Sequence, residues 1–170
     1  ELKNIQESTG RFGATLKDTA DYFAEFFNKT AKFTELTPKA RKQIMTLTTI
    51  LADSGVKAET TAGIYDHFLS AVGRGPVAIK GMIRSLHHFA RVLKLDVSRV
   101  MTDLKDVMGG LIIFNPDVQE KIVKTYLVFA KKTGIATKTL HASFGEGLDT
   151  FEQASAFASK FNILFKSRLS

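Results

Sequence analysis

A chain of 170 residues is long enough for one packed domain, and its balance of apolar (44%) and charged (24%) residues argues against intrinsic disorder. It has no cysteine, which excludes disulfides and thiolate metal sites, and no apolar run approaches the roughly 18 residues that a membrane-spanning helix needs. The net charge of +7 fits an anionic partner or simple solubility and does not choose between them.

Fourteen phenylalanines and no tryptophan supply large rings that carry no polar atom, so most of them belong in a core or an interface. The chain opens on Glu1 rather than Met and shows no signal-peptide pattern, so it is expected to be a processed chain or an excerpt of a longer one.

Residues 1–10 read as a polar, frayed N-terminal segment, and everything from residue 11 to 170 as one all-helical segment. From about Ala14 to Phe33 the pattern turns helical, with Leu16, Ala20, Phe23 and Phe27 at spacings of three and four and Tyr22 and Phe26 widening the stripe. The three prolines, Pro38, Pro76 and Pro116, then each stand where a helix should begin, because the first turn has no use for the missing N–H. Thr37 and Asn115 are the expected N-caps, and Gly75 a weaker one.

Behind Pro38, residues Ala40, Ile44, Leu47 and Leu51 share a face until Ser54-Gly55-Val56 ends the helix. Behind Pro116 the same grammar runs through Val118, Ile122 and Phe129 to Thr133-Gly134-Ile135. Lys94-Leu95-Asp96-Val97 occupies this place in the middle copy, without a glycine. A second helix follows in each copy, near Glu59–Val72, Asp96–Met108 and Thr137–Phe144.

The expected fold is therefore all-α: a multi-helix bundle of helical hairpins, with three irregular units near 37–73, 75–108 and 115–144, at a period of roughly 40 residues that suits helical repeats. An N-terminal helix and a C-terminal helix near 149–166 flank them; Asp149 and Glu152 form the capping box of the latter. Leu111-Ile112-Ile113-Phe114 reads as a buried connector.

The helix from Val77 to Leu93 is the most informative surface. Ile79, Met82, Ile83, Leu86, Phe89, Ala90 and Leu93 gather on one side, and Lys80, Arg84, His87, Arg91 and Lys94 on the adjoining side, with His88 at its edge. Such a stripe could meet phosphates or an acidic neighbour. Ala78, Gly81 and Ser85 make a third strip of small side chains, where a helix could approach closely.

The helix behind Pro116 carries a wider apolar arc, in which Val123, Tyr126 and Ala130 extend Val118, Ile122 and Phe129, and is the expected hub.

Catalytic signals are missing. The four histidines, His67, His87, His88 and His141, lack the i, i+4 spacing with a carboxylate that a helical zinc site uses, so no metal or cofactor is expected. Gly73-Arg74-Gly75-Pro76 has the wrong spacing for a phosphate loop, and Ser143 lacks the G-x-S-x-G frame. A non-enzymatic role is expected.

One stretch carries a family resemblance. Phe129-Ala130-Lys131-Lys132-Thr133-Gly134-Ile135, Leu140, Leu148-Asp149-Thr150-Phe151-Glu152-Gln153-Ala154 and Lys160-Phe161-Asn162 together resemble a segment of the large tape-measure-like tail proteins of tailed bacteriophages. In those, a helix ending in "tGi" is followed by "F-D-T-F-E-x-A" and "L-N-a-i-L-G". Here Leu148 replaces the first Phe, Phe161 replaces the Leu before Asn162, and Phe165-Lys166 stands where the glycine would be.

The resemblance, over about residues 115–162, implies a virion structural protein of the tail or baseplate hub, assembling with itself and with other tail proteins. It implies no catalytic residue. The alternative is a basic helical protein that binds nucleic acid or takes part in DNA ejection.

Overall fold

The computed structural model describes residues 2–112 and 114–145. Among them every regular element is helical, as the periodicity predicts. The helices are α1 (Leu2–Thr9), α2 (Leu16–Lys29), α3 (Pro38–Asp53), α4 (Ala58–Asp66), α5 (Pro76–Val92), α6 (Val97–Val107), α7 (Pro116–Thr133) and α8 (Thr137–Gly145). Short 3-10 turns follow α1 and α6, and a π-helical turn, His67–Ala71, extends α4. The C-terminal helix expected near 149–166, with Asp149 and Glu152, lies outside the described residues.

Prolines open α3, α5 and α7 as expected. The Thr37 side chain accepts from the Ala40 N–H, and the Asn115 side chain from the Val118 N–H. Each of these helices then leaves through a residue in the left-handed region: Gly55 (φ 81°), Lys94 (φ 54°) and Gly134 (φ 74°). The Val56 N–H donates back to the Leu51 carbonyl and the Leu95 N–H to the Ala90 carbonyl, so both turns satisfy carbonyls at the helix end. The middle copy thus makes the same exit with a lysine.

Residues 2–10 are not a frayed tail. Leu2–Thr9 is helical, Ile5 and Thr9 are buried, and Thr9 Oγ1 shares a 2.9 Å hydrogen bond with Thr19 Oγ1 of α2. Gly13 (φ 84°) makes the turn between them, and Thr15 and Asp18 close a capping box at the start of α2. The alternation of Asn4, Gln6, Glu7 and Ser8 with few apolar residues hid a helix that needs only one buried isoleucine.

Among the described residues four hairpins result, where three were expected: α1–α2, α3–α4, α5–α6 and α7–α8. In all four the second helix starts at the third residue beyond the left-handed one, at Leu16, Ala58, Val97 and Thr137. Burial follows the same register. Ile5, Leu47, Leu86 and Tyr126 are equivalent in the first helices, and Thr19, Thr61, Val100 and Leu140 in the second; all eight are buried. Phe26, Phe68 and Val107, one position set further on, are fully buried as well.

The chain divides into two compact units, one up to Thr125 and one from Tyr126, where the sequence reading draws a single segment from residue 11. In the first unit the hairpins stack side by side. First helices pack in a row, α1 on α3 and α3 on α5, and second helices in another, α2 on α4 and α4 on α6. This is the arrangement of α-solenoids, in which no hairpin can bury its apolar side alone.

The contact between α2 and α4 illustrates the chemistry. The Phe26 ring lies 5.4 Å from Phe33 and 5.8 Å from Tyr65. The Thr30 hydroxyl donates to the Ala62 carbonyl (3.3 Å), and Lys32 Nζ to the Leu69 carbonyl (3.2 Å). The latter bond caps a carbonyl in the π-helical turn.

Of the wide apolar stripe of α2, Phe26 is buried together with Thr19, Leu16 and Phe27 are exposed, and Ala20, Tyr22 and Phe23 are half-buried. In α7 the fully covered line is Gln119, Val123, Tyr126 and Leu127, while the expected hub residues Val118, Ile122 and Phe129 are half-buried. Gln119 earns its place by donating from Nε2 to the carbonyls of Leu111 (2.9 Å) and Phe114 (2.8 Å), tying the connector down. Within that connector Leu111 is buried and Ile112 is exposed.

Candidate functional site

The basic stripe of α5 is split by its surroundings. Ile79, Met82, Ile83, Leu86 and Ala90 are buried as expected, which fixes the rotation of the helix. Arg84 and Arg91 are exposed, Lys80 is half-buried, and Lys94 lies beyond the helix in the left-handed turn. His87 leaves the stripe. Its Nε2 lies 3.1 Å from Ser54 Oγ at the end of α3, and burial, with the Arg91 charge and His88 adding to it, holds its pKa below the ordinary 6.5.

His88, placed only at the edge by sequence, takes the exposed position between Arg84 and Arg91 at helical spacings of four and three. The surface on offer is therefore Arg84–His88–Arg91. Two full charges a couple of turns apart can meet an anionic surface; they make no enclosed site.

The small strip Ala78, Gly81 and Ser85 divides in a similar way. Among the described residues nothing lies within 4 Å of where a Gly81 side chain would start, so none of their helices approaches there. At Ser85 a neighbour does arrive: the hydroxyl donates to Glu120 Oε1 (2.7 Å) and accepts from Lys124 Nζ (2.8 Å), and the two charged groups are 2.7 Å apart. Lys124 also sits 5.5 Å from the centre of the Phe89 ring.

A lysine this close to a serine is the pairing that some hydrolases use to remove the hydroxyl proton, which requires a neutral amine. Here the proton arrangement runs the other way. Burial would raise the Glu120 pKa, but the bonds from Lys124 and Ser85 and the Lys124 charge more than offset it, so Glu120 is held below the ordinary carboxylate range. The serine hydroxyl donates to the Glu120 carboxylate and accepts from Lys124 Nζ, so Lys124 meets it as a donor and not as a base. The cluster is a polar clamp between α5 and the first half of α7. Sequence reasoning missed it because Ser85 and its partners are far apart in the chain.

Of the expected turn and cap residues, Pro38, Gly55, Pro76, Pro116 and Gly134 are among the described ones, and Asp149 and Glu152 lie outside them. Pro38, Pro76 and Pro116 begin helices, and Gly55 and Gly134 take positive φ. Arg74, from the rejected phosphate loop, lies 3.6 Å from Asp117 in the first turn of α7. Among the described residues no group of three or more histidines or carboxylates is arranged to hold a metal, and no helix is long and apolar enough to cross a membrane.

No family model, no curated protein and no solved structure matches this chain.

Proposed function

We propose that this chain is a non-enzymatic structural segment of a phage tail, of the tape-measure or baseplate-hub kind, and that it acts by helix-mediated assembly. The observation that supports it best is the stack of hairpins itself. In the first unit the hairpin α3–α4 is packed between α1–α2 and α5–α6, an architecture made for extended contact surfaces. The tail assignment comes from the resemblance over residues 115–162.

The test is mass spectrometry of purified tailed virions produced from a genome that encodes the chain. Peptides covering Pro38–Lys132 should appear in the particles at a stoichiometry of at least a few copies. Peptides present in the infected-cell lysate but absent from purified particles would overturn the reading.

A second reading, nucleic-acid contact, is favoured by the exposed Arg84–His88–Arg91 line on α5. It requires affinity for duplex DNA that falls steeply with salt and weakens in Arg84→Ala/Arg91→Ala. A flat salt response would remove it.

A further inference from the structure

We draw no further inference here: the strongest candidate, the apolar face of α2 that leaves Leu16 and Phe27 exposed, carries nothing because nothing in the structure shows what covers it.

Discussion

Gly55 and Lys94 make the same left-handed turn at the same place in successive hairpins, with φ of 81° and 54°. Glycine adopts that conformation freely, whereas a residue with a side chain is held there at a cost of about 1–2 kcal/mol. Lys94→Gly should therefore stabilise the chain by about 0.5–1 kcal/mol, after the added flexibility of the unfolded glycine is subtracted. Gly134→Val should do the reverse, by on the order of 1 kcal/mol or more, since a β-branched side chain tolerates this region poorly. Chemical denaturation of the three proteins checks both signs.

Phe26 is fully buried between Phe33 and Tyr65, so Phe26→Ala should cost about 3–5 kcal/mol. Phe129 is half-buried, and Phe129→Ala should cost clearly less. Equal losses in thermal melts would mean that Phe129, and not the α2–α4 contact, anchors the core.

Gly81 lies in the interior of α5, is exposed, and has open space where a side chain would start. Replacing it with alanine restores helix propensity without a clash. Gly81→Ala should stabilise by about 0.5–1 kcal/mol, read as a rise in the urea midpoint with an unchanged slope. A loss would show that a neighbour does reach this strip in solution.

Three histidines set an acid limit. Burial holds His67, His87 and His141 below the ordinary 6.5; for His67 the Asp66 charge and a bond to the Met108 backbone oppose that effect without reversing it. The unfolded chain then binds more protons than the folded one near its own pKa. Their contribution is present above about pH 6.5 and is lost as pH falls through that value towards the lowered folded pKa values. The melting temperature should drop between about pH 7 and pH 5, and His87→Gln should flatten part of the drop. A pH-independent melt would contradict the burial of these rings.

The sequence makes the helix starts easy to read, because Pro38, Pro76 and Pro116 act through the backbone and need no knowledge of neighbours. Gly55 and Gly134 were legible for the same reason. Lys94 was not, since nothing in a lysine announces positive φ; only the fold forces it. The first hairpin was missed because it opens without proline and buries only Ile5 and Thr9 from α1.

The rotation of α2 is not legible for a related reason. Periodicity identifies an apolar face but not which of two apolar faces a neighbour covers, and α2 has two, one holding Phe26 and one holding Phe27. The Ser85–Glu120–Lys124 clamp joins residues from different hairpins, a relation that no local pattern contains. His87 and His88 differ by a single residue, yet Ser54 decides which of them is withdrawn from the surface.

Side-by-side stacking has a mechanical consequence. A hairpin that leans mainly on its immediate neighbours has no distant contact to hold it closed, so opening should begin at an end and advance one hairpin at a time. Amide exchange would register this as a gradient, fastest in Leu2–Thr9 and slowest in α3 and α4, which have a neighbour on either side. A chain built this way behaves as a row of hinged leaves, and whatever clasps its first leaf would stiffen those behind it.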